Sequence, residues 1–242
     1  RTTGAWRAAR HGAVASLVRS VGPRGARTPH TGAVNYTETD PRIPAAAITV
    51  EDAELLQRMQ DRGTPGWVHL EMNAHLLPDA ESANVVGEIL GWERPDEVVV
   101  VGGHIDSWDV GTGSTDDGGG CIVTWEALRI INQLGLRPRR TLRVVLWTNE
   151  ENGLRGATAY RDRYNKQLAD HIMMLESDSG VSRPRGFLFT GNPRGRETVG
   201  AIASLLRGID AHRVGPNGGG ADIGPSVRAA NIPSMSLDVD RS

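Results

Sequence analysis

Three runs of mostly apolar residues, Val98-Val99-Val100-Val101, Leu142-Arg143-Val144-Val145-Leu146-Trp147 and His171-Ile172-Met173-Met174-Leu175, have strand length, and each runs out into polar residues. The first is β-branched throughout, which suits a strand buried on both faces. A further strand is predicted over 84–90, a glycine-started helix over 118–134, a strand over 186–189, and helices over 196–207 and 222–230. Strands alternating with helices describe an α/β fold with a mainly parallel sheet. The pattern before residue 80 differs. Residues 45–50 read as a strand, and 51–62 as a helix with Ala53, Leu55, Leu56 and Met59 at helical spacing and Gly63 as its stop. Residues 67–72 alternate as a half-buried strand. Pro78 to Ala80 reads as a linker, which divides the chain into residues 1–80 and 81–242.

Composition narrows the function classes. A net charge of −2 over 242 residues leaves no electrostatic footprint for nucleic acid, and 38% hydrophobic residues describe an ordinary globular chain. No stretch is long and apolar enough to span a membrane, and no signal peptide is visible. The single cysteine, Cys121, rules out an intrachain disulfide and reads as a small apolar group on the helix after Gly120.

The chemistry lies where the apolar runs end. His104 and Asp106 follow the first, Glu150 and Glu151 the second, Glu176 and Asp178 the third, and Asp116-Asp117 enters the glycine-rich helix start. In open α/β sheets, groups at the carboxyl ends of the strands converge on one crevice. Carboxylates gathered there repel one another and are desolvated together, a cost that a cation removes. One imidazole among carboxylates suits zinc, or in some settings manganese or cobalt. Two ions about 3.5–4 Å apart, bridged by a carboxylate, polarise a water, and Asp116 is the natural bridge. Asp106 stands close enough to orient His104 or a neighbouring ligand. Of the adjacent Glu150 and Glu151, one ligates and the other acts as general base; spacing alone leaves the order open.

The run Gly103-His104-Ile105-Asp106-Ser107-Trp108-Asp109-Val110-Gly111, with Asp116-Asp117-Gly118-Gly119-Gly120, Glu150-Glu151 and Glu176-Ser177-Asp178, resembles the co-catalytic zinc exopeptidases, and the likeness extends over most of the chain. It implies an αβα sandwich of the phosphorylase/hydrolase type around a mixed, mainly parallel sheet. It also implies that His104, Asp116, Glu151 and Asp178 ligate metal, that Asp106 orients His104, and that Glu150 is the base. The Asp116-Asp117 peptide bond is a candidate for the cis form on the same grounds. Residues 1–80 resemble part of a β-rich protease-associated domain.

The implied activity is zinc-dependent hydrolysis of dipeptides or short peptides through a metal-activated water, by a carboxypeptidase or dipeptidase with two Zn2+ per complete site. The resemblance implies a secreted or periplasmic protein, and a homodimer is kept as a candidate assembly. An aminopeptidase of the same fold, a glutaminyl cyclase-like transferase and a binding module without catalysis are the alternatives. The family pattern has one more histidine ligand after the last strand, and no residue after His212 supplies it, so the chain reads as a fragment. His11, His30, His69, His75, His171 and His212 read singly as surface or core residues, and Trp108 and Trp125 as packing. The loop from Gly215 to Gly220 lacks the Lys-Ser/Thr of a phosphate cradle and reads as a flexible segment near the substrate.

Overall fold

The computed structural model describes residues 2–22, 24–64, 66–75 and 77–240, which form two compact units, Arg1–Ala80 and Glu81–Ser242. In the first, helix α1 (Gly4–Ala9) precedes strand β1 (Ser16–Arg19), which pairs in parallel with β2 (Ala45–Ile48). Helix α2 (Val50–Asp61) follows; its start is fixed by Thr49, whose hydroxyl accepts the Asp52 N–H at 3.0 Å. The strand expected over 67–72 does not form. Trp67 is 96% exposed and that stretch has no ladder partner among the described residues, so alternation without a neighbouring strand made no sheet.

The second unit holds a seven-stranded sheet in the order β3-β5-β4-β6-β9-β7-β8 among the described residues. Its strands are β3 (Val85–Ile89), β4 (Arg94–His104), β5 (Arg140–Trp147), β6 (His171–Glu176), β7 (Pro184–Thr190), β8 (Arg213–Gly215) and β9 (Ser234–Val239). The central strands β5, β4, β6 and β9 run parallel, while β3 and β7 pair antiparallel with β5 and β9. Helices α3 (Gly118–Gln133), α4 (Arg155–Arg163), α5 (Pro193–Ser204) and α6 (Gly224–Ala230) complete the unit.

Two neighbouring glycines show how the layers lie. A Cβ on Gly102 would meet the Trp147 ring, and one on Gly103 would meet Asp117, Gly120 and Cys121 at the start of α3. Consecutive strand residues face opposite sides of a sheet, so α3 covers one face and the Trp147 side holds the other core. That core joins Val98, Val100, Val145, Trp147 and Met174 of the strands to Tyr160 of α4 and to Ile223 and Ile232 at the ends of α6. Burial along β4 alternates: Val98 and Val100 are buried while Val99 and Val101 are only partly covered. The β-branched run is therefore fully buried on one face, since α3 shields the other incompletely. Trp125, expected to pack, is 56% exposed on the outer side of α3, whose inner side carries Cys121, Thr124 and Leu128.

A buried polar chain crosses this layer away from the site. The Arg143 guanidinium donates to Glu88 at 2.6 Å and to the Tyr160 hydroxyl at 2.8 Å, and Tyr160 in turn meets His171 Nε2 at 2.8 Å. His171 Nδ1 lies 2.9 Å from the Gln167 carbonyl, which assigns its proton to Nδ1. Burial lowers the His171 pKa, so the ring is neutral and structural.

Candidate metal centre

Parallel pairing of β4 with β5 and β6 brings three strand ends side by side, with His104 opposite Trp147 and Gly102 opposite Glu176. The loops that continue from them deliver the polar groups. The His104 imidazole is 1% exposed; its Nε2 stands 3.0 Å from Asp116 Oδ1, 3.8 Å from Asp178 Oδ1 and 4.0 Å from Glu150 Oε2. One ligand atom from each of His104, Asp116 and Asp178 lies within 4.8 Å of the others. His104 is paired with each of these carboxylates and with Asp106.

Local structure explains the placement. The Asp116-Asp117 peptide is cis, and Asp117 caps α3 by accepting the Gly120 N–H at 3.1 Å. The same carboxylate accepts the His104 backbone N–H at 3.0 Å, which ties the helix start to the end of β4. The Cys121 thiol donates to the His104 carbonyl at 3.0 Å, so it bonds to the site backbone as well as packing. Gly103 and Gly120 admit no Cβ, because Asp117 oxygens lie 2.3 Å from each ideal position.

Asp106 works through two groups. Its backbone carbonyl, at 2.9 Å, accepts from His104 Nδ1, while its carboxylate stands 3.6 Å from that nitrogen. The carboxylate instead receives the backbone N–H groups of Glu150 at 2.9 Å and Glu151 at 3.2 Å. Imidazole orientation, expected of the side chain, is thus done mainly by the main chain, and the side chain holds the Glu150-Glu151 turn. Glu150 reaches the His104 group; Glu151 falls outside the three-residue ligand cluster.

The electrostatics follow from crowding. Burial pulls the His104 pKa down, but its hydrogen bonds and the charges of Asp117 and Asp178 outweigh that and raise it to about 10. Burial, then the charges of Asp178, Asp106 and Asp116, raises the Glu150 carboxyl against the pull of His104. Glu151 rises through burial and the charges of Asp116 and Glu150. Burial lifts Asp117 to about 7 and Glu176 to about 7, and burial with the Glu176 charge lifts Asp222 to about 8. A proton on His104 occupies the position a cation would take. An imidazole nitrogen with carboxylate oxygens, short of positive charge, fits zinc.

Three buried groups belong to this neighbourhood beyond the expected set: Asp117, Glu176 and Asp222, each 1% exposed. Asp222 has no pattern of its own in the sequence; the signal is a glycine run, Gly218 to Gly220, followed after Ala221 by an acidic residue just before a helix start. That run packs closely, since a Cβ on Gly218 would lie 2.2 Å from the Leu188 carbonyl oxygen and one on Gly220 2.1 Å from the Glu176 carboxyl carbon.

The Peptidase family M28 model matches residues 84–237. Mouse carboxypeptidase Q is 46% identical over 240 residues, which cover 99% of this chain and 51% of that protein. The chain thus spans about half the length of the curated relatives it matches. The crystal structure of a peptidase M28 precursor from Shewanella amazonensis superposes with a TM-score of 0.89 at 34% identity, covering 98% of this chain and 54% of that one. A zinc aminopeptidase from Bacillus subtilis has the same fold, with a TM-score of 0.69 at 20% identity over 96% of this chain and 55% of its own. With a fold, a strand-end cluster and a family match that coincide on one unit, the chain belongs to peptidase family M28.

Proposed function

We propose that this chain carries the catalytic centre of a zinc-dependent exopeptidase that hydrolyses dipeptides or short peptides. The observation that carries the reading is the buried His104 imidazole ringed by Asp116, Asp178 and Glu150. Both the family match and the likeness to carboxypeptidase Q support it.

His104, Asp116, Asp178 and Glu151 would hold zinc, and Asp116, at 69% exposed the most open of the first three, would be the ligand that two ions share. When bound, zinc supplies Lewis acidity that makes a water nucleophilic near neutral pH and polarises the scissile carbonyl. Glu150 takes the proton from the attacking water and returns it to the departing amine. Its raised pKa suits both transfers. Asp106 holds the backbone of Glu150, so the base keeps its aim as its charge changes. The same reading takes residues 1–80 as part of a protease-associated domain and the whole protein as secreted or periplasmic, with a homodimer as the candidate assembly. No described helix is long and apolar enough to cross a membrane.

Dipeptides with both termini free, with the amine blocked and with the carboxylate blocked provide the test. Zinc-dependent cleavage that fails on carboxylate-blocked substrates and stops with chelator supports a carboxypeptidase or dipeptidase. Cleavage that requires only the free amine replaces it with an aminopeptidase, and ammonia release from an N-terminal glutamine replaces it with a cyclase. Zinc stoichiometry by elemental analysis counts the ions.

A further inference from the structure

We propose that Glu176 is a positioning residue: its buried carboxylate ties down the backbone on both sides of Asp222 and so adds the Asp222 carboxyl to the negative charge that holds the cation. The second half of this statement rests on the metal-dependent function proposed above; the first stands on geometry alone.

Glu176 ends β6 two residues before Asp178 and is 1% exposed. One of its oxygens accepts the Ala221 N–H at 2.8 Å and the other the Ile223 N–H at 2.9 Å, the two residues that flank Asp222. The two bonds join segments 45 and 47 residues apart. Gly220 lets the backbone close onto this carboxylate and Gly218 lets it close onto β7, since neither position has room for a Cβ. On the other side, the Ser177 N–H bonds to the Gly102 carbonyl at 2.9 Å, so the clamp shares its strand end with Asp178 and with β4, which carries His104.

The residue between the clamped amides is the unusual one. Asp222 is 1% exposed and neither of its oxygens has a hydrogen-bond partner among the described residues. The amides on both sides of it are held by Glu176, which ends β6 two residues before Asp178, so Asp222 stands beside the strand end that supplies a ligand. A buried carboxyl with no hydrogen bond is costly unless positive charge stands near it. The clamp fixes it there: with Ala221 and Ile223 held, the Asp222 backbone has little freedom to turn the side chain outward. The glycine loop thus packs against Glu176 and β7 and presents a buried carboxyl.

Zinc titration calorimetry and amide hydrogen exchange on the full chain test this with three variants. Asp222→Asn keeps shape and removes charge; we expect zinc affinity to fall about tenfold, as for groups that support ligands from behind, with the amides of Ala221 and Ile223 as protected as in the parent. Glu176→Gln replaces an acceptor oxygen with a donor group, and we expect those two amides to exchange at least about tenfold faster and zinc affinity to fall about as far. Val199→Ala, in the separate cluster with Phe189 and Met235, lowers the melting temperature and leaves zinc affinity unchanged. Unchanged amide protection in Glu176→Gln overturns the clamp. Zinc affinity within about twofold of the parent in Asp222→Asn, or an equal fall in Val199→Ala, overturns the charge role. A parent chain that binds no zinc overturns the proposed function and the share given to Asp222, while the exchange rates of Glu176→Gln still decide the clamp.

Discussion

At the scale of single residues, the centre sets a competition between a proton and a cation for His104 Nε2. Because the imidazole pKa is raised to about 10, zinc displaces a proton whenever it binds at neutral pH. Zinc affinity therefore weakens as pH falls from 8.5 to 6.5, by up to about tenfold per unit, and calorimetry in buffers of different ionisation heat registers the released proton. Glu150→Gln keeps the shape of the base and loses its proton transfer, so kcat falls by about 10²- to 10⁴-fold with zinc content unchanged. Asp106→Ala strips the Glu150 and Glu151 amides of their acceptor. We expect a fall in kcat/KM of about 10- to 100-fold, since the base remains but its backbone is released. A loss as large as that of Glu150→Gln would instead give Asp106 a direct part in the chemistry. His104, Asp178 and Glu150 were legible as residue types at strand ends and Asp116 at a glycine-rich helix start; the division of labour within Asp106 was not, because a main-chain carbonyl leaves no mark in a sequence.

At the scale of elements, close packing makes glycine decisive where β4 meets β5. A Cβ on Gly102 would lie 2.0 Å from the Val145 carbonyl oxygen and 2.5 Å from the Trp147 ring. Gly102→Ala is expected to cost about 1–3 kcal/mol, the usual cost of overpacking, measured as a lower urea midpoint at constant slope. The polar chain through Tyr160 behaves differently. Tyr160→Phe keeps the ring in the Trp147 core but removes the hydroxyl shared by Arg143 and His171. Leaving buried partners unpaired costs about 1–3 kcal/mol, and because this chain lies away from the centre, zinc affinity is expected to stay the same. Elements with a strong period, such as α2, α3 and the strands β4 to β6, were legible from the chain. Strand β8, only three residues long, and the unpaired stretch at 67–72 were not, because a strand exists only with a neighbour and the neighbour is a tertiary fact.

At the scale of the molecule, the crowded centre writes itself into stability. Asp117, Glu176 and Asp222 have pKa values raised to about 7, 7 and 8, so the folded chain binds protons that the unfolded chain has released. Stability from these groups is greatest on the acid side of that window and is lost as pH rises through it. His104, raised to about 10, adds stability that is complete below the ordinary histidine range and declines toward pH 10, in the same direction. The chelator-treated protein should melt at least about 3 °C lower at pH 9 than at pH 6, a shift worth roughly 1 kcal/mol in a domain of this size. Zinc at about 100 times its Kd restores about 2.7 kcal/mol; a melting temperature that rises with pH in the chelated protein would contradict this charge balance. What the sequence determined by itself was the alternation of strand and helix, the break at residue 80 and the imidazole and carboxylates at the ends of apolar runs, because each is written in local period and residue type. Only the tertiary structure decided that α3 and the Trp147 core take opposite faces, that Asp106 divides its two acceptors, and that Glu176 holds Asp222 in place. Those depend on contacts between segments dozens of residues apart, where the backbone chooses the partner and local pattern carries no record of the choice.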